Sequence, residues 1–81
     1  ENVSNFQIYP NPNNGSFIVI AKGIGIKKVP TKIYDGIGKL VNQFNISEGE
    51  NPMDLKQLAT GVYYLNIENA TENEIHKIVI E

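Results

Sequence analysis

The sequence predicts an all-β domain, an antiparallel sandwich of about seven short strands, and three observations carry that expectation. Turn signals built from Pro, Gly, Asn and Asp recur every ~8 to 12 residues, the spacing of a two-sheet sandwich. Between them the apolar residues alternate with a period of two. No stretch shows the longer amphipathic period of a helix. The 81 residues are expected to form one domain, 1–81, a size that buries only roughly 60 to 65% of the surface exposed by the unfolded chain.

Phe6 and Ile8 alternate with Asn5 and Gln7 as a first strand with one wet face. It must stop at Tyr9-Pro10-Asn11-Pro12-Asn13-Asn14-Gly15. Proline fixes its own φ and lacks a donor, so Pro10 and Pro12 cannot sit in a central ladder, and each pushes the preceding residue extended. Asn14-Gly15 supplies the residue types that most readily take positive φ and turn the chain. The following run, Ser16 to Ala21, is apolar on both parities, so either Phe17, Val19 and Ala21 or Ile18 and Ile20 face inward. Ile20→Ala and Tyr63→Ala are each expected to be strongly destabilising.

Lys22 to Lys28 is a connection, and its Gly23-x-Gly25 lacks the strand-to-helix context of a phosphate loop. Val29, Thr31 and Ile33 alternate with Pro30 and Lys32, and the proline places this strand at an edge or a bulge. Asp35-Gly36 is a hairpin signal, with Gly38 as a second position for positive φ. In the returning strand, Leu40 to Ile46, the core is assigned Leu40, Phe44 and Ile46, while Val41 breaks the alternation. Glu48 to Pro52 reads as a turn, followed by Met53 and Leu55 in a short extended segment. Asp54 is positioned to cap a single turn that Gly61 ends. Tyr63, Leu65 and Ile67 then point inward and Val62, Tyr64 and Asn66 outward. A leucine, a turn and an inward tyrosine at a strand start look like the tyrosine corner of Greek-key, immunoglobulin-like sandwiches. Glu68 to Glu74 is a wide polar turn before a closing strand, His76 to Ile80, with Ile78 and Ile80 inward.

Several function classes find little support. Seven basic against nine acidic side chains give a net charge of −2, without the basic stripe that nucleic acid requires. There is no cysteine for a disulfide or a thiolate metal site. Apolar runs stay well below the roughly 20 residues of a membrane-crossing helix. The chain starts at Glu1 with neither methionine nor a signal peptide, the expectation for a piece of a longer precursor.

Catalysis would have to be assembled around His76 with Asp35 or Asp54 and one of Ser4, Ser16 or Ser47, all of them beside turns. No run of oxygen ligands surrounds either aspartate, and Glu68, Glu72 and Glu74 read as a solvated loop. No metal and no cofactor is expected. Glycan-acceptor patterns at Asn2, Asn14, Asn45 and Asn69 arise readily in an asparagine-rich chain. Tyr9, Tyr34 and Tyr64 are the candidates for a sugar platform, the alternative reading being an accessory carbohydrate-binding or spacer sandwich.

Four motifs in series are more specific than any one of them. Tyr9 to Gly15, Ile33-Tyr34-Asp35 with Gly38-Lys39, Asp54-Leu55 with Leu58 and Gly61-Val62-Tyr63, and Lys77-Ile78-Val79-Ile80 together resemble the type A C-terminal sorting domain of the type IX secretion system, the Por secretion tail family. The resemblance implies a non-catalytic address label at the end of a secreted precursor of a Gram-negative bacterium. It implies passage through the periplasm, recognition by the outer-membrane translocon and shuttle proteins, and removal by a sortase-like cysteine protease. The N-terminal cargo domain is then anchored to the cell surface or released. Recognition residues carried over are Pro10, Pro12 and Gly15, Gly61 and Tyr63, and Lys77, Ile78, Val79 and Ile80. Glu81 departs from the pattern, since family members often close on a basic residue there. The closing strand is expected to be read along an exposed edge.

Overall fold

The computed structural model of the protein describes residues 5–69 and 73–81. They form seven strands: β1 (Phe6–Tyr9), β2 (Ser16–Ala21), β3 (Val29–Asp35), β4 (Leu40–Ile46), β5 (Gly49–Asp54), β6 (Gly61–Glu68) and β7 (Asn73–Ile80). All strand pairs are antiparallel, in one sheet of order β1-β2-β5 and a second of order β4-β3-β6-β7. The chain changes sheet after β2, after β4 and after β5, which is the Greek-key sandwich order that the sequence predicts. One core joins the two inner faces, with Phe6, Phe17 and Val19 from the first sheet against Ile33, Leu65 and Ile78 from the second.

On β2 the parity left open by the sequence resolves to Phe17, Val19 and Ala21, all buried, while Ile18 and Ile20 lie half-buried on the other face. Ile20 is therefore not an inward residue of β2, and Val19 is the position whose truncation opens the core. Tyr63, Leu65 and Ile67 are buried as expected, and so are Ile78 and Ile80. The Tyr63 hydroxyl donates to the Ala59 carbonyl at 2.6 Å across the turn from β5 to β6. This is the tyrosine corner, on the sixth strand of the sandwich. It closes the one turn held by Leu58 N–H on the Leu55 carbonyl, and Asp54 caps that turn only loosely, 3.4 Å from Lys56 N.

Four local expectations change. Leu40 is exposed, not core, because the β3–β4 register slips between Ile33 and Tyr34, pairing Ile33 with Asn42 and Tyr34 with Leu40. The bulge leaves Val41 as the extra residue and turns it toward the core in place of Leu40. Residues read as a turn after Glu48 are strand β5, whose Pro52 lies opposite Ile18. As an edge strand β5 accommodates a proline whose nitrogen faces away from the ladder. Pro30 is the second residue of an interior strand, but the β6 ladder starts only at Thr31, so Pro30 has β4 alone as neighbour. Finally, β7 begins at Asn73, within the stretch read as a wide turn.

The positive-φ assignments narrow in the same way. Gly38, at φ +90, and not Gly36, turns the β3–β4 hairpin, with the Asp35 carboxylate accepting from Ile37 N and Lys39 N. At the first turn Gly15 alone takes positive φ, and Asn14 does not.

The connection before β3 is anchored by a residue that the sequence does not single out. The Glu48 carboxylate accepts from the backbone N–H groups of Gly23 at 3.0 Å, Ile24 at 2.8 Å and Gly25 at 3.2 Å. The Gly-x-Gly loop is thus an anion nest filled from within. It carries Ile24 into the core. The Gly23 and Ile24 hydrogen bonds hold the Glu48 carboxyl below its ordinary pKa, with partial desolvation opposing them.

Two outcomes are expected in urea unfolding. Tyr63→Phe should cost about 0.5–1.5 kcal/mol for the lost hydrogen bond, Tyr63→Ala about 3–5 kcal/mol for the cavity, and Val19→Ala more than Ile20→Ala. Equal midpoints for Tyr63→Phe and the parent would count against the corner. A depressed carboxyl stabilises the fold fully above its unfolded pKa and loses that contribution as pH falls through the lower folded value. Below neutrality, stability of the parent should therefore fall more steeply with acid than that of Glu48→Gln, and parallel pH profiles would exclude this role.

Candidate functional site

The segment between β1 and β2 does more than reverse the chain. Pro10 and Pro12 end the pairing of β1 with β2 at Tyr9, which faces Ile18, and the chain crosses to the outer edge of β7 in the opposite sheet. The Tyr9–Pro10 and Asn11–Pro12 peptide bonds are both cis. Asn13 pairs with Ile80 in a parallel bridge: its N–H donates to the Val79 carbonyl at 2.9 Å, and its carbonyl accepts from Glu81 N–H at 2.7 Å. One turn of sequence earlier, the Asn11 side chain copies that pattern. Its Nδ2 donates to the Lys77 carbonyl at 2.7 Å and its Oδ1 accepts from Val79 N–H at 3.0 Å.

The turn is braced from inside. Asn13, itself buried, donates from Nδ2 to the Pro10 carbonyl and accepts Gly15 N–H on Oδ1 at 2.8 Å. Asn14 Oδ1 accepts from Ser16 N at the start of β2. Gly15, at φ +102, accepts Leu55 N–H on its carbonyl at 2.7 Å. A Cβ at this position would lie 2.8 Å from Lys56 Cα, so only glycine fits between the two turns. Loop 10–15, the turn after β5 and the tail of β7 form a single hydrogen-bonded unit at one side of the sandwich.

A family model described as a secretion system C-terminal sorting domain matches residues 7–81. The chain belongs to that family. No curated protein matches it. The family is one of sorting signals for type IX secretion and not an enzyme family, and such a tail directs secretion through the outer membrane to the cell surface or beyond.

The residues that the sequence marks for recognition in this sorting domain fall into two groups. Pro10, Pro12, Lys77, Ile78, Val79 and Ile80 meet in the loop–tail unit. Gly15 belongs there through Leu55, whereas Gly61 and Tyr63 meet it across the β6–β7 ladder, Gly61 opposite Ile80 and Tyr63 opposite Ile78. The edge of the tail is not open as expected. Ile78 and Ile80 are buried beneath the opposite sheet, and the outward backbone groups from the Lys77 carbonyl to Glu81 N–H are taken by Asn11 and Asn13. What the tail presents is side chains: exposed Lys77 and Glu81, with half-buried Val79 between them. Asn11 and Asn13, which carry the contact, stand in the motif as turn formers, and nothing local in the sequence announces their partners at the other end of the chain.

The catalytic alternatives do not assemble in the sorting domain. His76 lies 2.9 Å from Glu74, two residues away on its own strand, and Asp35 and Asp54 are each committed to backbone amides of their turns. Ser4 lies outside the described residues, as do Glu72, the Asn2 glycan pattern and part of the Asn69 one. Tyr34 and Tyr64 are direct cross-strand neighbours on the outer face of the second sheet, whereas Tyr9 belongs to the first.

Removing the Asn11 side chain as Asn11→Ala should lower stability by about 1–2 kcal/mol, the loss of two surface hydrogen bonds. Gly15→Ala should cost about 1–3 kcal/mol through backbone strain. Chemical denaturation measures both, and a neutral Gly15→Ala would contradict the close approach to Lys56.

Proposed function

We propose that this sorting domain is read through the composite surface of loop 10–15 and the tail of β7, and that it belongs to type A. The observation that carries the reading is the family match from residue 7 to residue 81, which spans both pieces of that surface. In this scheme residues 1–81 form one domain that follows an N-terminal cargo domain. The cargo enters the periplasm, and the outer-membrane translocon and shuttle proteins bind the folded domain. A sortase-like cysteine protease then cuts upstream of the sandwich, leaving the cargo attached to anionic lipopolysaccharide or released.

Within the recognition set, Pro10, Pro12, Gly15, Gly61 and Tyr63 act as positioning residues: they shape the loop and seat the two strands that carry the tail. Ile78 and Ile80 anchor the tail from below. Lys77 and Val79, with the loop asparagines beside them, are the groups a receptor would touch. The competing reading, an accessory sandwich with a sugar platform, draws on Tyr34 and Tyr64 lying side by side. It requires no export activity of the domain itself.

Fusion of the domain to a foreign periplasmic reporter in a type IX-competent bacterium separates the two. The reporter is expected outside the cell. Val79→Lys, which alters the tail surface and leaves both buried isoleucines in place, is expected to reduce export several-fold with the melting temperature held within a few degrees. A reporter that stays in the periplasm with a folded parent domain would refute the sorting role, and undiminished export of Val79→Lys would refute the tail surface.

A further inference from the structure

The outer edge of β7 offers the same hydrogen-bonding site four times, and two are filled. In a strand the N–H and C=O of one residue point to the same side, and alternate residues point the same way. Val79 is bonded outward through both groups, and Lys77 outward through its carbonyl. Ile75 therefore faces outward too. Each site consists of the carbonyl of one outward residue and the N–H of the next. Val79 C=O with Glu81 N–H holds the backbone of Asn13, and Lys77 C=O with Val79 N–H holds the side-chain amide of Asn11. Ile75 C=O with Lys77 N–H is the third and Asn73 C=O with Ile75 N–H the fourth, and among the described residues nothing is bonded to either. The protein's own chain leaves this edge at Asn11, where Pro10 returns it toward β1.

We propose that the Ile75–Lys77 edge is a docking site for an extended segment of another protein, which adds to the second sheet as a strand beside β7. A site whose sister positions bind an amide by one donor and one acceptor selects an amide. Ile75 decides in favour of a polypeptide over a small molecule: the residue is 69% exposed beside the vacant pair. A strand placed there brings a side chain over Ile75 and withdraws that apolar surface from water. Two further features suit a strand: Tyr64 stands next to Lys77 across the ladder and extends the apolar floor, and Asn66 faces Ile75. The partner's segment is expected to carry an apolar or β-branched residue over Ile75. This surface follows from backbone geometry, and it does not depend on the export role of the domain.

The test uses the isotope-labelled domain and a blocked eight-residue peptide alternating valine with threonine and lysine. Exchange of the Lys77 and Ile75 amides should be fast in the free protein, and saturating peptide should slow it by at least ~10-fold, with resonance shifts confined to β7 and its β6 neighbours. The same peptide N-methylated at alternate positions should do nothing. Lys77→Pro, which removes the outward donor and keeps the carbonyl bonded to Asn11, should abolish the shifts. Should that variant fail to fold, the N-methylated peptide still decides. The proposal is overturned if the Lys77 amide is unaffected at millimolar peptide, or if protection appears along β1, β4 or β5 instead. It is also overturned if the Lys77 amide becomes protected with rising protein concentration alone, which would make the occupant a second copy of this chain.

Discussion

The constraint on which this fold turns is the need of a sheet edge for partners. β7 is the last strand of its sheet, so one row of its backbone donors and acceptors has no ladder to join. The chain meets that need with a segment from its other end: Asn13 with its backbone, Asn11 with its side chain. Apolar contacts between the two sheets are non-directional, and they set neither register nor angle closely. The loop–tail bonds are directional, and they join a turn rooted in the first sheet to an edge of the second. In a chain of this size, with no disulfide to assist, such a tie fixes how the layers sit on each other.

The rest of the polar chemistry serves the same end. Glu48 fills a nest of three amides, Asp35 closes its hairpin, and Asn14 starts β2. Asn51 donates to the carbonyls of Val19, Ser47 and Gly49 and so bends the chain into β5. Asp35, Asp54 and Glu48 are occupied with backbone amides, and His76 with the Glu74 carboxylate. The richness in asparagine that generates glycan-acceptor patterns is turn chemistry, since Asn and Asp bond nearby backbone more readily than other residues do. A sorting label needs a stable shape with a distinctive surface, and this composition builds one from turn and cap chemistry.

Local rules made the strands legible, and long-range rules hid the site. Tyr63 was readable because the corner motif lies within five residues, and Ile78 and Ile80 because alternation on a closing strand is unambiguous. Leu40 and Val41 exchanged places because a bulge resets parity and carries no signal in this stretch. Pro52 disguised β5 as a turn, since the rule against proline in strands lapses at an edge. Pro10 and Pro12 correctly ended a strand, but the destination of the chain beyond them depends on residues 66 and 68 positions away. Sequence read in windows cannot pair Asn11 with Lys77 and Val79. The family resemblance brought both ends of that contact into one motif set without revealing that they touch.

Native-state amide hydrogen exchange tests the central claim most directly. If loop and tail are one cooperative unit with the core, the amides of Asn13, Val79 and Glu81 should exchange only through global unfolding, with the same free energy as that of Leu65 in the centre of β6. Exchange of Val79 and Glu81 at nearly open-chain rates, while Leu65 stays protected, would show a tail that frays independently and would contradict the account.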